Sequence, residues 1–291
     1  MMPKIAVLGA SGFLGSPIAD LFEEKGWEVI AFSRTVRASS SKQRIYADLF
    51  EEESLRRALL ISRPNVVLSA AWDTEHGKFW TNESNVNYKV STLKFAELSF
   101  QAGAETFIGL GSRCEYGISP GYCNASVSPL IPNDLYSMSK IETGIALKEI
   151  GERFGGQTYW ARVFQAFGPN EKEERLVPWL IAKLQNNEKF SIRTPNYKMD
   201  WIHTEDIASA IVYAIENKLD HFVDIGTGVA TSVKEFSELI CEEFDLDESL
   251  LDFTGQIPDH EMTAVVDSAS QLLSRGWQPA KSLRKRVRSL G

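Results

Sequence analysis

Between a short apolar run, Lys4-Ile5-Ala6-Val7-Leu8, and an amphipathic stretch starting at Ser16, the chain carries "GASGFLG", residues 9–15. Three glycines three apart between a strand candidate and a helix candidate leave few options for the fold. Glycine supplies the conformations of a tight turn, lets backbone approach a bound group, and lets a helix pack hard on a strand. Such a strand–turn–helix unit binds dinucleotides, with the pyrophosphate at the helix N-terminus. The spacing is not the commoner GxGxxG, and in isolation it would also describe a plain turn. Its place directly after the first strand candidate favours the phosphate reading.

The turn opens a regular rhythm. Short β-branched runs at 4–8, 28–32, 45–49, 65–71 and 106–110 alternate with amphipathic stretches at 13–25, 51–61 and 86–101. Strands separated by helix-length segments must cross over, which gives a parallel sheet with helices on both faces. The second half is less regular, with helix candidates at 136–154, 176–186, 205–216 and 232–244 and a strand candidate at 158–167. The expected fold is α/β, a Rossmann-type doubly wound parallel sheet with a small C-terminal substrate-binding lobe. Residues 1–167, rejoined by 204–228, are assigned to the sheet domain, and 168–203 with 229–291 to the lobe. Loops rich in Pro, Asn and Gly at 119–134 and 168–174 follow strand candidates, where such sheets bind ligands.

With 291 residues, 43% of them hydrophobic, the chain can bury a large core. Its formal net charge of -8 disfavours nucleic acid and anionic membrane surfaces as partners, since both need a positive field. Cys114, Cys123 and Cys241 form no CxxC spacing, so neither a disulfide framework nor a metal site is expected, and a reducing cytoplasm fits. No apolar run approaches the about 20 residues of a membrane helix, and Gly9 interrupts the first run before it reads as a signal peptide. The expectation is a soluble, unprocessed protein with a small-molecule substrate and a homodimer as the candidate assembly.

The second strand candidate runs into Ser33-Arg34-Thr35. An acidic residue there would bind the adenosine ribose of NAD, whereas an arginine can pair with the 2′-phosphate of NADP. Arg34, helped by Ser33 and Arg37, favours NADP(H) over NAD(H); a solvated surface arginine is the plain alternative.

"YSMSK", residues 136–140, begins a helix candidate after Pro132-Asn133-Asp134. A spacing of four puts Tyr136 and Lys140 on one helix face, where the cation is expected to lower the phenol pKa towards neutrality and make Tyr136 a general acid or base. Upstream, "GLGSRCEYG", residues 109–117, delivers the Ser112 hydroxyl to the same edge of the sheet as the glycines, placed to hydrogen-bond a carbonyl oxygen.

Together these residues resemble the extended short-chain dehydrogenase/reductases, the epimerase/dehydratase group that acts on nucleotide sugars. The resemblance continues through "ADL" at 47–49, "SAAW" at 69–72, "ARVFQAFGP" at 161–169 and "MDWIHTEDIA" at 199–208, covering nearly the whole chain. It implies Ser112, Tyr136 and Lys140 as the catalytic residues, with Lys140 also on the nicotinamide ribose. For the cofactor it implies Gly9, Ser11, Gly12, Phe13, Leu14 and Gly15 around the pyrophosphate and Ser33 and Arg34 at the adenosine ribose. Asp48 and Leu49 would meet the adenine, with Ala70, Ala71, Trp72 and Val163 beside the nicotinamide half.

Departures narrow the activity. Dehydratases of the family carry an Asp-Glu pair after the catalytic hydroxyl; this chain has Arg113 and Cys114, which argues against dehydration. Gln165 replaces a frequent Asn, and Met199, preceded by Lys198, replaces a frequent Arg, so the usual diphosphate contacts are altered. Arg113, Gln165, Arg175, Arg193, Lys198 and Trp201 are the candidate substrate residues, with Lys183 a further cation and Trp72, Trp80 and Trp179 either sugar-site or core. His203 and Asp206 read as structural, Thr204 being the expected N-cap of the helix they begin. The first functional reading is an NADPH-dependent reductase of a keto nucleotide sugar, with a 4-keto-6-deoxy sugar as the favoured class. A nucleotide-sugar epimerase with bound NAD uses the same triad, and a non-catalytic NADP-binding sensor is disfavoured by the intact Tyr136–Lys140 pair.

Overall fold

The computed structural model describes residues 2–35, 42–75, 77–254 and 262–290; Arg37 lies outside them. The chain begins with β1 (Lys4–Leu8), α1 (Gly15–Glu24), β2 (Glu28–Ser33), β3 (Gln43–Tyr46), α2 (Glu52–Ser62), β4 (Val66–Ser69), α3 (Ser84–Gln101) and β5 (Thr106–Ser112). Then come β6 (Gly121–Cys123), α4 (Leu135–Phe154), β7 (Gln157–Val163), β8 (Gln165–Phe167), α5 (Leu176–Gln185), β9 (Phe190–Ser191), β10 (Lys198–His203) and α6 (Thr204–Glu216). The chain ends with β11 (Phe222–Ile225), β12 (Ala230–Ser232), α7 (Val233–Phe244), β13 (Leu251–Asp252), β14 (Thr263–Val266), α8 (Gln271–Ser274) and α9 (Leu283–Arg288).

The central sheet has seven strands in the order β3-β2-β1-β4-β5-β7-β11, every neighbouring pair parallel. The order reverses between β1 and β4, which is the switch point at which a doubly wound sheet opens its binding crevice. Period-two alternation divides the core: Ile5 and Val7 pack with Ile18 and Ile211, while Ala6 and Leu8 pack on the other face with Leu55, Phe95 and Leu147. The expected Rossmann-type α/β sheet is the observed one.

Two elements depart from the sequence pattern. The run expected as a strand over 45–49 pairs only over Gln43–Tyr46, because Asp48 Oδ1 accepts from Phe50 N at 2.9 Å and turns the chain. The run over 158–167 is two strands: β7 stays in the central sheet, while β8 pairs with β10 in a second sheet of order β12-β10-β14-β6. One apolar stretch therefore feeds both sheets, which its composition could not reveal.

A third core, built on Phe167, Leu180, Met199, Trp201 and Phe236, lies under α5 and α7. The division into domain and lobe is less clean along the chain than the pattern suggests. Gly121–Cys123 pairs with Thr263–Val266 in the second sheet, and Leu272 and Trp277 pack with the core of α1 and α6.

Candidate functional site

The glycine turn is fixed by sterics. Gly9 has φ +89°, in the left-handed region, and a Cβ on Gly15 would stand 2.1 Å from the Gly9 carbonyl oxygen. α1 starts at Gly15 with no side-chain cap; Ser16 N already donates to Gly12 O at 3.0 Å and Pro17 has no N–H, so Gly15 is the first-turn position that leaves its N–H for a ligand. A pyrophosphate fits this cradle: the turn is bare of side chains where it approaches the backbone of Ala70, and the Gly15 N–H at the helix start can meet it. Arg34 stands exposed at the end of β2, close enough to Tyr46 and Tyr88 to act on both phenols. Ser33 Oγ accepts from Thr35 N at 3.2 Å. Asp48 is half-buried at its turn, and the Leu49 side chain is buried in the core of α2 and α3, leaving only its backbone for an adenine.

Ser112 ends β5 and caps the short 3-10 turn Arg113–Tyr116, its Oγ accepting from Cys114 N at 3.2 Å. Beneath it, the wholly buried Glu115 accepts from Ser112 N at 2.9 Å, Trp160 Nε1 at 2.9 Å and Arg162 Nε at 2.7 Å. Arg162 also reaches Tyr116 Oη at 3.1 Å, and that hydroxyl donates to Asp224 at 2.6 Å. Side chains from the 3-10 turn after β5, from β7 and from β11 thus lock the base on which Ser112 stands. Sequence reading missed this network because its members lie 45 to 108 residues apart.

α4 begins at a capping box in which Asp134 accepts from Ser137 N at 2.7 Å. Its first two turns present Tyr136 and Lys140, both buried. Lys140 Nζ donates to Leu110 O at 2.8 Å and lies 3.7 Å from the centroid of the Trp72 ring, beside Ala70 and Ala71. Burial pushes Lys140 down to about 7, with Glu115 opposing. Tyr136 meets Trp72, Phe79 and Trp80 edge-on. Burial pushes its phenol up, Cys114 adds to the rise, and the Ser112 hydroxyl opposes it. The expected fall towards neutrality is therefore corrected: desolvation of the phenolate outweighs its neighbours, and Tyr136 is held as an acid.

Ser112 and Tyr136 open onto a cleft of ≈ 350 Å³. Phe13, Leu14 and Val163 also line it, tying it to the glycine turn, and Arg113, Gln165 and Arg175 line it too. Trp80, Lys172 and Glu171 complete its polar and aromatic wall; Lys172 and Glu171 were not singled out by sequence. Other expectations are corrected. Trp201 is core: it stacks on Phe236 at 3.9 Å, and its Nε1 donates to Thr231 O at 3.1 Å. Lys183 pairs with Glu188, while Arg193 and Lys198 are exposed and do not line the cleft. Met199, at the position of the family arginine, is buried in the lobe core.

His203 and Asp206 are structural, with one change of detail. His203, not Thr204, caps α6, its Nδ1 accepting from Glu205 N at 3.2 Å, and Asp206 accepts from the buried Arg286 Nε at 2.7 Å. Among the described residues no group of three or more metal-ligating side chains comes together, and no helix is long and apolar enough to cross a membrane.

Known proteins share this fold over nearly the whole chain. The chain is 27% identical over 308 residues to a GDP-L-fucose synthase of Sinorhizobium fredii, covering 96% of this chain and 91% of the relative. It is 24% identical to the dTDP-6-deoxy-L-talose 4-dehydrogenase (NAD(P)(+)) of Kitasatospora kifunensis, covering 99% and 94%. Among solved structures, the UDP-glucose 4-epimerase of Thermotoga maritima with UDP-glucose superposes with a TM-score of 0.84 at 20% identity, covering 99% of this chain and 97% of that one. A family model, the NAD dependent epimerase/dehydratase family, matches residues 5–226. The chain belongs to the NAD dependent epimerase/dehydratase family, whose members here are nucleotide-sugar modifying, NAD(P)-dependent enzymes.

Proposed function

We propose that this protein is an NADPH-dependent reductase of a keto nucleotide sugar, with a 4-keto-6-deoxy sugar as the preferred class. The observation that carries the reading is the cleft beside Ser112 and Tyr136. Among the described residues, Arg113, Lys172 and Arg175 line it against a single carboxylate, Glu171. That charge balance suits an anionic substrate such as a sugar diphosphate. It lacks the paired acids of a dehydratase, since Arg113 and Cys114 follow Ser112.

The nicotinamide, when bound, supplies the hydride to the carbonyl carbon. The chain does the rest. Tyr136, held protonated by its burial, gives its phenolic proton to the carbonyl oxygen. The Ser112 hydroxyl, held at the end of β5 by the Glu115 base, donates to the same oxygen and fixes its place. Lys140, charged when the site is filled, holds the ribose and steadies negative charge arising on Tyr136. Arg34 supports NADP(H) as the cofactor, since it puts a planar cation at the end of β2 where an acid would select NAD(H).

The test is to mix purified protein and NADPH with a panel of 4-keto-6-deoxy sugars on dTDP, GDP, UDP and CDP and to follow nicotinamide absorbance. Stoichiometric loss of NADPH with a 4-hydroxy product supports the reading. An epimerised product with no net NADPH loss and co-purifying NAD would replace it with the epimerase.

A further inference from the structure

Glu171 is the acid that neither the motifs nor the proposed chemistry use. It follows the Gly168-Pro169-Asn170 turn, and its side chain is 4% exposed although it borders the substrate cleft. One oxygen, Oε1, accepts from Arg175 Nε at 3.4 Å. The other, Oε2, is buried and makes no hydrogen bond of good geometry, although the Gly168 backbone eases the charge on the carboxylate. A buried carboxylate oxygen left unpaired costs more than a lost hydrogen bond is worth, so a fold keeps one where a ligand completes it. Burial also pushes Glu171 up to about 7, against the opposing pull of Arg175.

The surroundings say which part of a ligand meets Oε2. The reacting carbonyl belongs beside Ser112 and Tyr136. A diphosphate belongs on the cations and is repelled by Glu171. What remains of a nucleotide sugar, and what carries neutral donors, is the ring of the sugar itself.

We propose that Glu171 is the specificity residue for the sugar: Oε2 accepts a hydrogen bond from a ring hydroxyl while Oε1 holds Arg175 against the diphosphate. The proposal rests on the reading of the substrate as a nucleotide sugar and adds which side chain reads the sugar. It makes the hydroxyl a requirement, because a substrate without it leaves the carboxylate oxygen unpaired.

The experiment measures binding of UDP-glucose, dTDP-glucose and GDP-fucose, each beside its own free diphosphate, to the full chain saturated with NADPH. The quantity read is the gain in affinity from the sugar. In the wild type the preferred sugar should improve on its diphosphate by about tenfold or more, the scale of one hydrogen bond to a charged group. Glu171→Gln keeps an amide oxygen for Arg175, so diphosphate binding should stay within about twofold while most of the sugar gain is lost. Glu171→Met removes both contacts and should weaken the diphosphate as well. A sugar gain unchanged in Glu171→Gln and Glu171→Met overturns the proposal. Diphosphate binding with no sugar gain in the wild type overturns it too, while leaving the nucleotide reading intact. A wild type that binds neither diphosphates nor sugars brings down the nucleotide reading and the proposal with it.

Discussion

The ammonium of Lys140 lies 3.7 Å from the centroid of the Trp72 ring and donates to the Leu110 carbonyl at 2.8 Å. The ring face and the carbonyl both favour the charged lysine, yet burial outweighs them and pushes the group down to about 7. The site holds a costly cation ready for a ligand.

The first prediction follows from that cost. The unfolded chain keeps the lysine proton up to the ordinary 10.5, while the folded site gives it up near 7. Between those values unfolding takes up a proton, so the lysine's contribution to stability rises with pH. Below about 7 both states hold the proton and the full penalty remains. Lys140→Met should therefore raise the melting temperature of the cofactor-free protein, most clearly at and below neutral pH. Cofactor affinity should fall in the same variant. Calorimetry across pH and a cofactor titration check both, and a lower melting temperature at pH 6 than the wild type would refute the argument.

Cofactor choice is the second prediction. Arg34→Ala should cost about 1.5–3 kcal/mol of NADP(H) affinity, the scale of hydrogen bonds to a charged group, and little for NAD(H). Equal losses for the two cofactors, read by fluorescence titration, would remove the 2′-phosphate from the account.

The base under Ser112 gives the third. Glu115 and Arg162 form an ion pair with side chains 0% and 2% exposed, and Glu115 also holds Ser112 N. Removing one partner leaves the other charge buried, so Arg162→Met should cost about 3–5 kcal/mol of stability. Urea unfolding measures it, and a loss below about 1 kcal/mol would mean the network relaxes freely.

How far the sequence carried the structure depends on how local each signal is. The glycine turn was legible because its constraint is steric and acts within seven residues: the Gly15 position is closed to any Cβ by the Gly9 carbonyl. Tyr136 and Lys140 were legible because they share one turn of α4. Trp160, Arg162 and Glu115 were not, since their hydrogen bonds join the turn after β5 to β7 and each residue alone reads as an ordinary strand or turn position. Cation counting also misled. Lys183, Arg193, Lys198 and Lys172 look alike in sequence, but only Lys172 lines the cleft, because it lies in the loop after β8. Trp201 shows the converse: its motif neighbours suggested a site residue, while the alternation along β10 turns it onto Phe236.

The last prediction concerns the proton. Tyr136 is boxed by Trp72, Phe79 and Trp80, and its burial holds the phenol protonated through neutral pH. Tyr136→Phe keeps the ring and its edge contacts and removes only the proton to be given, so turnover should fall by about 10²–10⁴-fold, the usual worth of a positioned acid. Cofactor affinity should stay within about twofold, because the packing around Lys140 is unchanged. In the wild type, kcat/KM should decline as pH rises through about 7, where the free enzyme's Lys140 loses its charge. In Lys140→Arg, whose cation does not titrate in that range, the remaining activity should lose this decline. A decline of the same midpoint in Lys140→Arg would assign the titration to another group, and Glu171, also near 7, would be the one to test next by Glu171→Gln.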